Sequence, residues 1–164
     1  MATKTLEDLF LDGVKDVYYA ERKIVAALKK MIRGAQSQDL KGAFETHLQE
    51  TEGQVERLVQ VFELLGKAAR GKTCPAIDGI VEEGQEILED FKGSPALDAG
   101  LLAAAQAVEH YEIARYGTLR NWARELGKED VALLLEATLA EEENTDQLLT
   151  QLADSKVNKS AKAA

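Results

Sequence analysis

The stretch A-A-A-Q-A-V-E-H-Y-E-I-A, Ala103 to Ala114, sets two glutamates on what is otherwise the apolar face of a helix. Residues three and four apart stack on one side of an α-helix, so Glu109 and Glu112 share a face with Leu102, Ala105, Tyr116 and Leu119. Ser94-Pro95 starts this helix as an N-cap and first-turn proline, and it runs through Val108, Ile113 and Trp122 to a stop at Gly127. A buried face that carries carboxylates needs partners that neutralise them.

The same periodicity extends in both directions. Upstream, Thr5 and Asp8 form a capping-box pair before the apolar positions Leu11, Val14, Val17, Tyr18, Ile24, Val25 and Leu28, and Gly34 stops that helix. Ser37 caps a second run with Leu40, Phe44, Leu48, Val55, Leu58, Phe62 and Leu65 on its face. Downstream of Gly127, Val131, Leu135, Leu139, Leu148, Leu149 and Leu152 mark a further helix. The spacing predicts long helices over about 5–33, 37–66, 95–126 and 128–153, a crossover helix over about 75–92 begun by Pro75, and a frayed tail over 154–164.

Short links within each pair make two antiparallel hairpins, and one long crossover joins them. This predicts a single all-α domain over residues 1–164 with the connectivity of a ferritin-like four-helix bundle.

The other helices carry misplaced carboxylates as well. Glu21 lies on the stripe of Val14, Val17 and Leu28, Glu142 lies one heptad from both Leu135 and Leu149, and Glu50 lies on a mixed stripe with Ala43, His47, Gln54 and Val61. Counted from the turns, Glu21 and Glu50 are each 14.5 positions away, and Glu112 and Glu142 are each 15 from Gly127. Equal distance from the turn is equal height in an antiparallel pair, so the four helices are expected to point carboxylates into one layer, with Glu109 a turn away. Isolated buried carboxylates cost many kcal/mol or take up protons, whereas a pair of divalent cations would neutralise them, and oxygen-rich ligands suit iron or manganese. The competing expectation is that these glutamates are solvated or paired with Lys or Arg.

A formal net charge of −9 opposes binding to phosphate backbones, and Lys156, Lys159 and Lys162 are a weak basic footprint. Cys74 is the only cysteine, which excludes an intrachain disulfide and points to a reducing compartment. Met1 to Lys4 lacks the apolar run of a signal peptide, and no stretch approaches the ~18 apolar residues of a membrane span. A cytoplasmic protein without nucleic-acid or membrane partners is expected.

The stretches Asp16 to Glu21, His47 to Gln54, Ala103 to Ala114, Tyr116 to Leu119 and Glu141 to Asp146, with Lys72 to Cys74 in the crossover, resemble the YciF-type family of bacterial ferritin-like stress proteins over Thr5 to Ala153. The resemblance implies a ferritin-like fold, a homodimer, a link to stress responses and a dinuclear metal site. The expected centre is two iron ions per chain, with manganese as the alternative metal, held by Glu21, Glu50, Glu109, Glu112 and Glu142. Glu50 and Glu142 would bridge, Glu21 and Glu112 would cap, and His47 would add a nitrogen. Fe(II) oxidation or peroxide handling would be its chemistry, with no catalytic residue assigned. A non-enzymatic dimeric scaffold without a working metal site is the alternative, and a storage cage is a weaker third reading.

The wider superfamily places a Glu-x-x-His pair on each of two helices, and this chain departs from that pattern. Gly53 follows Glu50 by three and Thr145 follows Glu142 by three, where histidines would stand. His110 is rotated ~100° from Glu109 and is expected at an interhelix or dimer contact, while Gln54 and Asp146 are further candidate partners of the centre. Tyr18, Tyr111 and Tyr116 are expected to pack with satisfied hydroxyls, Asp16 and Glu52 to belong to a helix surface or cap network, and Cys74 to be inert.

Overall fold

The fold is that of a computed structural model, which describes residues 3–163. Helix α1 spans Leu6–Gly34 and begins with the Thr5/Asp8 capping box, in which Asp8 Oδ2 accepts from the Thr5 amide at 2.8 Å. Helix α2 spans Gln38–Leu64, and the Ser37 hydroxyl caps it by accepting from the Leu40 amide. The crossover carries α3, Pro75–Asp90, with proline in the first turn, where its missing N–H costs nothing. Helices α4, Leu97–Glu125, and α5, Glu129–Leu152, form the second hairpin. Gly127, at φ +69°, supplies the left-handed residue that turns the chain between them.

Around the bundle α1 packs beside α2 and α4, and α5 beside α4 and α2, while α3 lies across α1 and α4. The side-chain partners fix the directions. Leu119 and Trp122 surround Gly13, and Tyr116 meets Glu21, so α4 runs antiparallel to α1. Arg57 meets Thr138, Glu50 meets Thr145 and Lys156 meets Asp39, so α5 runs antiparallel to α2. This is the ferritin-like arrangement that one long crossover produces.

Asp98 locks the crossover end of the bundle. Its two carboxylate oxygens accept from the Gln36 and Ser37 amides at 2.8 and 2.7 Å, tying the first turn of α4 to the α1–α2 turn. Charge-assisted bonds of this kind contribute about 1.5–3 kcal/mol each.

The segment expected as a frayed tail is helical. A π-helical turn over Ala153–Val157 leads into α6, Asn158–Lys162, and buries Ala153 and Val157. The extra residue in that turn keeps Leu149, Ala153 and Val157 in line against the core.

The apolar core is divided in two. Near the α1–α2 turn it contains Ile24, Leu28, Leu40, Phe44, Leu101 and Leu149. Near the α4–α5 turn it contains Phe10, Val14, Leu58, Phe62, Leu119 and Leu135. Each such side chain contributes roughly 1.5–3 kcal/mol by burial. Between the halves lies a buried polar layer of Glu21, His47, Thr51, Gln54, Glu109, Glu112, Thr138, Glu142 and Thr145.

Candidate metal centre

Each helix of the bundle supplies this layer from its core stripe. On α1, Glu21 follows the buried Val14 and Val17. On α2 the inward positions are His47, Thr51, Gln54 and Leu58, which keep helical phase. On α4 they are Ala105, Glu109, Glu112 and Tyr116, and on α5 Leu135, Thr138, Glu142 and Thr145. Glu21, His47, Glu109, Glu112 and Glu142 are each at most 2% exposed.

His47, Glu109, Glu112 and Glu142 each offer a ligand atom within 4.8 Å of the others. His47 Nε2 lies 3.0 Å from Glu109 Oε1 and 3.9 Å from Glu142 Oε2. Neither His47 Nε2 nor Glu109 Oε1 has a hydrogen bond, because their approach is close but not aligned. Two lone-pair donors placed side by side and misaligned suit a shared third atom better than they suit each other.

Both oxygens of Glu109, Glu112 and Glu142, one oxygen of Glu21 and both ring nitrogens of His47 lack hydrogen-bond partners, nine buried atoms in all. Buried polar atoms are nearly always paired, and such a concentration of exceptions is what residues able to hold a metal ion would show. Burial, reinforced by the neighbouring carboxylates, pushes the Glu109 carboxyl up to about 12 and that of Glu112 well above its ordinary value. Burial and the charge on Glu142 raise Glu21 to about 8, against the hydrogen bond from Tyr116. Burial raises Glu142 as well and lowers His47 to about 4, so the imidazole is neutral and able to ligate.

The donor set fits metal. Ionised, as metal binding would leave them, the carboxylates of Glu21, Glu109, Glu112 and Glu142 would offer hard oxygen ligands beside a neutral His47 nitrogen.

The surroundings hold this set in place. The Tyr116 hydroxyl donates to Glu21 Oε1 at 2.5 Å, a contact between α4 and α1 that no sequence spacing announces. On the α2–α5 side, Arg57 grips Glu141 with both guanidinium nitrogens, at 2.9 and 2.8 Å, and donates to Thr138 at 2.8 Å. Gln54 Nε2 also donates to Glu141. The sequence offered one signal for Gln54, its spacing of seven from His47.

Glu50 stands apart from the group. It is half-buried, with Oε2 accepting from the Thr145 hydroxyl at 3.1 Å, and it lines a cleft of about 170 Å³ between α2 and α5. Glu50, expected to bridge, is not one of the four residues whose ligand atoms cluster. His47 takes the inward position, and a residue three further along is rotated about 60° off that direction.

His110 is exposed and contacts Asp146 on α5 at 3.2 Å, an interhelix contact, and Gln106 shares that aspartate. Tyr111 is 3.2 Å from the buried Cys74 thiol, and Tyr18 packs edge-on to Phe62. Glu52 pairs with Lys29 at the surface. Asp16 is half-buried instead, with one oxygen unpartnered, and burial raises its carboxyl.

Fold and layer together define an all-α bundle of ferritin-like architecture with a buried histidine–carboxylate cluster able to hold a metal ion. Residues 5–162 match the family described as a domain of unknown function (DUF892), and the chain belongs to that family. It is 47% identical to protein YciF of Escherichia coli strain K12 over 163 residues, 98% of each chain. The crystal structure of that stress protein superposes with a TM-score of 0.90 at 45% identity, over 96% of this chain and 99% of the other. YcfI from Rhodopseudomonas palustris gives a TM-score of 0.86 at 49% identity, covering 90% of this chain and 94% of the other. A Xanthomonas campestris protein shares the fold at 20% identity, with a TM-score of 0.75 over 97% and 98% of the two chains. Among the described residues no helix is long and apolar enough to cross a membrane.

Proposed function

We propose that the chain is a stress-response protein whose bundle core holds two divalent metal ions, with iron as the resident metal and manganese as a substitute. The observation that carries this reading is the set of nine unpartnered ligand atoms on Glu21, His47, Glu109, Glu112 and Glu142. A bound metal pair would supply oxidation of Fe(II) or reduction of peroxide. The residues of the chain would hold the ions, exclude water from the layer through the two apolar cores, and fix Glu21 through Tyr116. Relationship to YciF supports the stress role, and we place the protein in the cytoplasm as a homodimer without nucleic-acid partners. Rapid mixing of anaerobic Fe(II)-loaded protein with oxygen or peroxide tests the activity: oxidation faster than that of free Fe(II), and lost in Glu112→Gln, supports it, and a rate equal to free Fe(II) refutes it.

A second reading, a dimeric scaffold without working metal chemistry, is favoured by Gly53 and Thr145 standing where the wider superfamily has histidines. The two readings differ under chelation. Ions bound at a hundred times their Kd stabilise the fold by about 2.7 kcal/mol. Chelators therefore lower the melting temperature of a metal protein and leave that of a scaffold unchanged.

A further inference from the structure

A centre sealed between two apolar cores needs a route to its ligands, and the groove between α2 and α5 differs along its length. Toward the α4–α5 turn it is closed by Arg57, whose guanidinium spans the groove to pair with Glu141. Two turns along α2 toward the other end it opens into the cleft of about 170 Å³, lined by Gly42, Thr46, His47, Glu50, Thr145 and Leu148. The cleft therefore joins an exposed edge, where Leu148 is 51% accessible, to His47, which is 2% accessible.

His47 is the only described residue that belongs both to the metal-ligand cluster and to this cleft's wall. Nε2 faces Glu109 and Glu142, and Nδ1, on another edge of the ring, has no partner either. Glu50 lines the same cleft, its carboxylate steadied by one bond from Thr145. A carboxylate outside and an imidazole inside form a graded pair of metal-binding side chains.

We infer that divalent cations enter through the α2–α5 cleft, with Glu50 binding the ion first and His47 receiving it into the cluster. This inference rests on the metal-centre reading above and assigns Glu50 to loading, leaving the final coordination to the other residues. The charge on Glu50 concentrates cations at the opening, Thr145 keeps the carboxylate turned across the cleft, and Arg57 bars the neighbouring stretch of groove.

Stopped-flow uptake of Co(II), followed by its visible absorption in metal-stripped full-length protein, tests this. Glu50→Gln retains an acceptor for Thr145 and is expected to slow filling by about threefold to tenfold, a share of the ~10–10³-fold that a charged cleft adds to on-rates. Glu50→Lys is expected to slow it further. Both variants are expected to reach the same number of ions per chain and the same final spectrum, and Glu45→Gln, an exposed charge on α2 outside the cleft, is expected to fill at the unaltered rate. Filling of Glu50→Gln as fast as the unaltered chain overturns the entry role while leaving the centre standing. A lower final capacity in that variant also overturns it, by making Glu50 a ligand of the bound ions. Absence of uptake by the unaltered chain overturns the centre and the entry route together.

Discussion

His47 Nε2 and Glu109 Oε1 lie 3.0 Å apart without hydrogen bonding to each other, in a layer where Glu112 and Glu142 are equally unsatisfied. Such an arrangement is unfavourable without a cation and favourable with one, so a change that neutralises it has opposite effects on the two states. Glu112→Gln keeps the shape, removes a buried carboxyl that its neighbours oppose, and is expected to raise the melting temperature of the metal-free chain at pH 8. The same variant is expected to weaken metal binding by at least tenfold, as loss of a ligand does. Paired melting curves with and without Mn(II) check both signs, and a fall in metal-free stability contradicts the account.

The pH dependence of the metal-free chain follows from the same layer. Glu21 at about 8, Glu109 at about 12 and Glu112, also raised, are protonated in the fold above the pH at which they ionise in the unfolded chain. Their contribution is whole below about 4.5 and is lost as pH climbs toward the folded values. His47, lowered to about 4, acts the other way: its contribution is present above 6.5 and is lost as pH falls from there to about 4. With Glu142, also raised, four carboxyls outweigh one imidazole between 4.5 and 6.5, and above 6.5 the carboxyls act alone. Each proton is worth at most ~1.4 kcal/mol per pH unit. The melting temperature of chelator-treated protein is expected to fall between pH 5 and 8. With saturating Mn(II) the trend is expected to flatten or reverse, because binding releases those protons.

Tyr116→Phe removes the only side-chain hydrogen bond to the Glu21 carboxylate among the described residues and leaves both of its oxygens bare. The ring still fills its fully buried site between α4 and α1, so the cost is that of an unsatisfied acceptor, about 1–3 kcal/mol in the metal-free chain. Chemical denaturation at pH 5 and pH 8 measures it. A larger loss at pH 8, where Glu21 is closer to ionising, is the expected pattern, and equal losses contradict the role given to that hydroxyl.

Helical periodicity made the bundle legible, with all five principal helices starting and ending within two residues of the sequence reading. Heptad placement also brought Glu109, Glu112, Glu142 and His47 together, because a carboxylate on an apolar stripe can only point inward. Glu50 escaped that logic. Counting from a turn gives height along a helix and leaves rotation about its axis uncertain by about one residue, which is the difference between His47 facing in and Glu50 facing the cleft. The three lysines of residues 154–164 suggest a solvated end, although Leu149, Ala153 and Val157 recur every fourth position and are buried. The Tyr116–Glu21 bond and the Arg57 clamp join residues far apart in sequence, and no local pattern encodes such pairs.

The central claim is that the buried layer holds two divalent ions, and the most direct measurement is their number per chain at saturation. Tag-free, chelator-stripped protein titrated anaerobically with Fe(II), with bound metal counted by elemental analysis, gives that number. The account predicts about two per chain, falling clearly in Glu112→Gln, as expected from four carboxylates balanced by two divalent charges. Saturation well below two ions, or a value that Glu112→Gln leaves unchanged, contradicts it.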